Sequence, residues 1–300
     1  MAKPIILVGN GINNISNSVS WSQLLEDLID DLGVSVDKNA INNKPFPLLY
    51  EEIYIKSLQK GDLKERELKQ TISEKVGVIA ANEIHHRITN GTFSDILTTN
   101  YELTLESCIS IEDKIRNKAI KREIKYSVYR RGEINDINFW HIHGDMTRPA
   151  SILLGYEHYS GQLQMMREYA HYGPKKKNYN PLERRLGKEG YKTNSWIDHF
   201  FTGKIHIVGL TLDFIETDLW WLITYRSRKL HEKPRSGQAS ERFTEKLHQS
   251  EITYYYPAEF GDRIAAKRQL MEALNIKTVA IHQPHGFDYY NDILSQIEAG

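Results

Sequence analysis

The chain is expected to fold as an α/β protein, a doubly wound parallel sheet carrying helical insertions, and three observations lead there. First, six short apolar or β-branched runs, at 4–8, 94–99, 138–142, 204–208, 251–256 and 277–281, have the length and composition of strands. Most are continuously apolar rather than alternating, as in strands covered on both faces. Second, helical patterns separate these runs, and strand–helix alternation of this kind predicts a doubly wound sheet. Third, several runs end in polar or glycine-rich clusters: Gly9-Asn10-Gly11-Ile12-Asn13, Thr98-Thr99-Asn100-Tyr101-Glu102 and His141-Ile142-His143-Gly144-Asp145. Open sheets bind ligands in a crevice at such strand ends, and three clusters in one chain suggest a nucleotide site.

The helices follow from their own periodicity. Ser20 and Gln23 have capping-box spacing, Trp21, Leu24, Leu25, Leu28, Ile29 and Leu32 share one face, and Gly33 supplies a stop. Residues 48–88 read as wholly helical, with Leu68, Ile72, Val76 and Ile79 at helical spacing. Ile264, Leu270, Met271 and Leu274 mark a later amphipathic helix, and 288–297 a closing one. The expected organisation is a single nucleotide-binding domain over 1–300. A helical insertion is expected at about 45–91. A second is expected at about 160–195, where Lys, Tyr, Gly and Asn weaken the periodicity. Both are expected over the sheet, where a lid or substrate-facing layer would lie.

Composition excludes several classes. The 39 basic and 39 acidic residues cancel, so no global field recruits nucleic acid or an anionic membrane. Short basic runs, Lys175-Lys176-Lys177 and the stretch 226–235, read as solvated faces rather than as a binding patch. A single Cys108 leaves no internal disulfide and no multi-cysteine zinc site, and suits a reducing cytosol. No apolar run reaches membrane length and no signal-peptide pattern opens the chain, so a cytoplasmic protein is expected.

Each strand end has a chemical and a structural reading. Glycines at 9 and 11 let backbone N–H groups approach a phosphate, although a tight turn alone would need them too. The amide of Asn100 can orient a water or a sugar hydroxyl, or simply cap a turn. Gly144 allows a sharp turn that projects the His143 imidazole, the commonest general base near neutral pH. His141, two residues earlier, hints at a metal pair but reads better as a satisfied core or supporting histidine. The run 205–208 leads into Gly209-Leu210-Thr211-Leu212-Asp213, where a glycine and a hydroxyl could meet a ribose or phosphate and Asp213 could cap a helix. Trp220 and Trp221 are expected in the core.

Taken in order, these stations resemble the sirtuin superfamily of NAD-binding proteins. Sirtuins have a glycine-rich first loop, an Asn-bearing strand end, a catalytic His-Gly and a late Gly-x-Ser/Thr strand end. The likeness runs from residue 4 to about 225. It is closer to the sirtuin-like (SIR2-type) NAD hydrolases of bacterial anti-phage defence, which carry Thr-Thr-Asn-Tyr-Asp before a catalytic histidine. The stretch 151–159, ending Gly-Tyr-Glu-His-Tyr, is similar to the segment those proteins place after their His-Gly. Glu102 departs from the pattern, standing where the family has Asp, and the four-cysteine zinc module of protein-deacylating sirtuins is missing.

The resemblance implies a Rossmann-like doubly wound parallel sheet of the sirtuin/DHS type. It implies an NAD+ hydrolase that releases nicotinamide and ADP-ribose, with Asn100 and His143 catalytic. The cofactor-binding set it implies is Gly9, Asn10, Gly11, Asn13, Thr99, Glu102, Gly209, Thr211 and Asp213. NAD+ is the substrate and no metal is expected. The implied role is the toxic effector of an abortive-infection system, acting as a homo-oligomer with a partner ATPase/translocase or phage-sensing subunit. No membrane attachment or direct nucleic-acid contact is expected. No regulatory domain is seen after the catalytic fold, so control is expected from assembly or a partner. Two alternatives stay open: a non-catalytic NAD/ADP-ribose-sensing subunit, and a sirtuin-type deacylase or ADP-ribosyltransferase.

Overall fold

The computed structural model describes residues 3–16, 21–37, 41, 43–61, 64–109, 125–174, 179–233 and 236–300. Ser20, lysines 175–177 and Arg235 therefore lie outside the described residues, and with them the expected cap and part of the basic runs. Seven strands form one sheet: β1 (Ile5–Val8), β2 (Asp95–Thr98), β3 (Gly132–Ile134), β4 (Ile137–His141), β5 (Lys204–Val208), β6 (Glu251–Pro257) and β7 (Lys277–Ile281). Their order is β3-β4-β2-β1-β5-β6-β7, parallel throughout except for β3 against β4. The α/β, Rossmann-like architecture expected from the sequence is thus present, with all six expected strands. β3 was not legible, being three residues long. It is created by a tight turn in which Asn135 and Asp136 both take positive φ (48° and 63°), the geometry of a two-residue hairpin.

The helices are α1 (Gly11–Asn14), α2 (Trp21–Leu32), α3 (Phe46–Lys60), α4 (Glu65–Val76), α5 (Glu83–Thr89), α6 (Thr104–Ser107), α7 (Tyr156–Tyr172), α8 (Leu182–Leu186), α9 (Trp196–Thr202), α10 (Thr217–His231), α11 (Gln238–Gln249), α12 (Ala265–Ala273) and α13 (Phe287–Ala299). Gly33 ends α2 in the left-handed conformation (φ 58°), with Val34 N–H returning to Ile29 O at 3.1 Å, as its position predicts. Asn82 caps α5 by accepting from Ile84 and His85 N–H, and Ser195 caps α9 by accepting from Ile197 N–H.

Alternate residues of each strand face opposite sides of the sheet, and both sides are buried. Ile5, Leu7, Leu97, Trp140, Ile205 and Ile207 share a core with α7 to α11. Ile6, Val8, Ile96, Phe139 and Val208 share another with α5 and α13. Side chains such as Leu7 and Ile6, both fully buried, contribute about 1.5–3 kcal/mol each. A third core belongs to the helical layer of α2, α3 and α4, and it reaches the strand-end loops through Tyr101, Ile152 and Leu154. Helices α7 and α8, in the stretch that lacks clear periodicity in sequence, pack on the sheet through Met166, Tyr169, Leu182 and Leu186. Trp220 and Trp221, expected in the core, are only partly buried at its margin, and Leu270 is half exposed.

Candidate active site at the strand ends

In the sheet order, β1 is flanked by β2 on one side and β5 on the other, so the chain reverses direction of travel there. That switch point opens a crevice at the carboxyl ends of the strands. A cleft of about 610 Å³ lies there, within the range of small-molecule and cofactor sites. Its walls come from the loops after β1 (Asn10, Gly11), β2 (Thr99, Tyr101), β4 (His143), β5 (Gly209, Thr211, Asp213, Glu216) and β6, with Tyr159 of α7, Lys267 of α12 and Tyr290 of α13.

Of the sequence-predicted site residues, Asn10, Gly11, Thr99, His143, Gly209, Thr211 and Asp213 line this cleft; Gly9, Asn13, Asn100 and Glu102 do not. The glycines have a packing reason. A Cβ at Gly9 would lie 2.5 Å from Gly209 O, and one at Gly11 would lie 2.5 Å from the Tyr290 hydroxyl and 2.7 Å from Gly209 O. Gly9 N–H donates to Val208 O (3.0 Å) and Gly11 N–H to Gly209 O (2.8 Å), so the loops after β1 and β5 are laced together beneath the cleft. Gly209 itself takes φ 65°.

Asn13 and Glu102 hold each other instead of facing the cleft. Asn13 Nδ2 donates to Glu102 Oε1 (2.7 Å) and to Asn10 Oδ1 (2.8 Å). His85 completes the set. Its Nδ1 accepts from Asn82 N–H, so Nε2 carries the proton and donates to Asn13 Oδ1 at 2.8 Å. Burial pushes the His85 imidazole down to about 4, which keeps it neutral for this role. The network fastens the end of β2 to the first loop and leaves Asn10 at the cleft wall. Glu102 is the longer carboxylate that this span uses.

His143 is set by its neighbours on all sides. Gly144 takes φ 90°, where a Cβ would strike Ser151 O at 2.3 Å, so the chain turns as expected for the His-Gly pair. Leu153 N–H donates to His143 O (2.9 Å), Tyr101 Oη donates to Leu153 O, and the Tyr159 ring stands edge-on to the imidazole, 5.4 Å between centroids. His143 Nε2 meets Asp218 Oδ2 at 3.0 Å, and Asp218 is fully buried. The carboxylate fixes the proton on Nε2 and leaves Nδ1 as the nitrogen free to exchange a proton in the cleft. Burial alone would depress this histidine. The charge and hydrogen bond of Asp218, with Glu216 farther off, outweigh that and hold it above its ordinary value.

Asn100 sits behind this wall. Its amide Nδ2 and Oδ1 are both sealed from solvent and have no hydrogen-bond partner among the described residues, an arrangement native proteins rarely leave without a purpose. Its backbone is firmly placed: N–H donates to Thr98 Oγ1 (3.0 Å), and its carbonyl accepts from His141 Nδ1 (2.9 Å). His141 Nε2 donates in turn to Glu106 Oε1 at 2.7 Å. Although burial opposes it, the Glu106 carboxylate raises His141 to about 9, so it is a charged supporting histidine. Asn100 and His143 are not joined by any hydrogen bond among the described residues.

Asp218 and Glu216 were missed in the sequence. The signal was present but ambiguous: acidic residues just before the apolar run of α10 read as helix N-terminal charges. Asp213, read as the cap, instead pairs with Lys267 (3.2 Å), and Glu216 stands at the cap position. Among the described residues no group of three or more His, Cys, Asp or Glu side chains is placed to hold a metal, and no helix is long and apolar enough to cross a membrane.

Residues 94–189, which carry β2, β4, Asn100, His143 and α7, match the family model described as SIR2-like domain. No curated protein matches the chain. Over that stretch the chain is similar to SIR2-type domains, and this supports NAD-related activity in general.

Proposed function

We propose that this cleft hydrolyses NAD+ at the nicotinamide–ribose bond, releasing nicotinamide and ADP-ribose. The observation that carries the reading is the buried Asp218–His143 pair opening onto a cleft at the sheet's switch point. In the proposed reaction the C1′–N bond breaks with its electron pair going to the ring nitrogen. Neutral nicotinamide leaves, and an oxocarbenium-like sugar remains. Water adds to C1′, and His143 Nδ1 takes its proton, with Asp218 stabilising the imidazolium. General-base help of this kind is worth about 10²–10⁴-fold. The Asn100 amide, buried and without a partner, would hold a ribose hydroxyl or the water. The nine residues expected to bind the cofactor act in two tiers. Asn10, Gly11, Thr99, Gly209, Thr211 and Asp213 would meet it, while Gly9, Asn13 and Glu102 hold the loops that do.

The resemblance noted in the sequence extends this reading to a NAD+-depleting effector of anti-phage defence, active as a homo-oligomer under a partner's control. One observation favours a second reading, a sensor that binds NAD or ADP-ribose without turnover: Asn100 is not among the residues lining the cleft. Nicotinamide release from NAD+ by the pure protein separates them. Activity is expected, and it is expected to be lost in Asn100→Ala and in His143→Ala. Activity surviving in both variants, or tight binding without turnover, rejects the hydrolase.

A further inference from the structure

Three acidic side chains follow β5, and two of them have a side-chain hydrogen-bond partner. Asp213 Oδ1 accepts from Lys267 Nζ at 3.2 Å, and Asp218 Oδ2 from His143 Nε2 at 3.0 Å. Glu216 has no such partner. Its Oε2 is sealed from solvent with no hydrogen-bond partner among the described residues, yet the residue lines the cleft. The charged and titratable groups that act on it come from every wall: His143 after β4, Asp218 on α10, Asp213 after β5, and Lys267 on α12. The hydroxyls of Tyr101, Tyr159 and Tyr254, which also line the cleft, lie in its field as well. Lys267 and His143 are engaged with Asp213 and Asp218, and Arg263 and His285, which also line the cleft, are not hydrogen-bonded to Glu216, so its carboxyl has no direct partner there among the described residues.

That missing partner says what the cleft could take. Burial, and then the carboxylates of Asp218 and Asp213, push the Glu216 carboxyl up to about 8 against the pull of His143 and Lys267. A carboxyl held this way ionises when a positive charge arrives beside it. Phenol rings add a favourable surface for such a charge.

We propose that Glu216 makes the cleft selective for a nucleotide whose base is a cation, acting as counter-ion to a pyridinium-type N-glycoside beside Tyr101, Tyr159 and Tyr254. The inference rests on the NAD+ reading and deepens it: the oxidised cofactor is accepted, and the reduced one, similar in shape but neutral in its ring, is not. The same carboxylate stays useful as the bond breaks, because positive charge moves from the ring to the sugar while the bonding pair leaves with nicotinamide.

Calorimetric titration with carbocyclic NAD+, which keeps the pyridinium but resists hydrolysis, and with NADH tests this. Two buffers of different ionisation enthalpy report the protons released. The wild type should bind the carbocyclic cation at least about tenfold tighter than NADH at pH ~9. The preference should shrink several-fold at pH ~7, where Glu216 is mostly protonated before the cation binds. Binding near pH 7 should release close to one proton, and near pH 9 none. Glu216→Gln, nearly the same shape, should keep NADH affinity and lose both the preference and the proton release. A variant that keeps either one overturns the inference alone, with NAD+ hydrolysis in the wild type intact. A wild type that binds neither nucleotide overturns the NAD+ reading and this inference with it.

Discussion

Replacing Asp218 by Asn tests whether the His143 pair is a working device or a packing contact. The two groups are 3.0 Å apart, Asp218 is fully buried and His143 is 3% exposed, so little solvent screens them. At that separation and an effective dielectric of about 20, two unit charges interact by roughly 5 kcal/mol, an upper bound on what Asp218 gives the imidazolium. An amide removes that charge and can also present Nδ2 to His143, favouring the tautomer whose Nδ1 carries the proton and cannot accept one. The expected loss in kcat is about 10²–10⁴-fold, or about 3–5 kcal/mol of barrier.

The pH dependence has a definite sign. In the wild type His143 titrates above its ordinary 6.5, so the acid limb of activity should lie above that value. In the variant, burial acts without the carboxylate, and the limb should move below it. Stability moves with it. The pair's contribution is fully present below the unfolded value and fades as pH rises through the folded one. The stability gap between the two proteins should therefore be widest near pH ~6 and narrow above. Nicotinamide release across about pH 5–9 reads the rate, and NMR titration of the His143 ring reads its proton without substrate. A variant with wild-type kcat and an unmoved titration would refute the reasoning.

Two further predictions concern the scaffold. Glu102→Asp draws the carboxylate off Asn13 Nδ2, now at 2.7 Å in a buried network. It should lower stability by about 1–3 kcal/mol in urea denaturation; an unchanged midpoint and slope would show that the network needs no particular length. Lys69, buried in α4 with Nζ donating to Ile152 O at 2.8 Å, is held by burial down to about 8 from 10.5. The folded protein therefore releases this proton before the unfolded chain does, and stability should gain as pH rises from about 8 to about 10.5. Lys69→Met should lack that gain, so the wild-type advantage should grow with pH over the interval. A difference flat in pH would remove Lys69 from the account.

Six strands, the Gly33 stop and the turn at His143-Gly144 were readable in the linear chain because each depends on neighbours in sequence. Continuous apolarity marks a strand buried on both faces, and glycine marks a backbone turn that a Cβ would block. The order of the polar clusters also placed the cleft, since parallel strands deliver all their carboxyl ends to one edge of the sheet. Partnership was beyond its reach. Glu102 with Asn13 spans 89 positions and His143 with Asp218 spans 75, and nothing local in either segment encodes the other. Nothing in the sequence singled out Asp218 and Glu216, while folding turned one into the support of His143 and left the other as a carboxyl without a hydrogen-bond partner at the cleft wall. Burial, a property of the packed molecule alone, set the charge states of both sites. It keeps His85 neutral and raises Glu216 to about 8, while Asp218 lifts His143 against it.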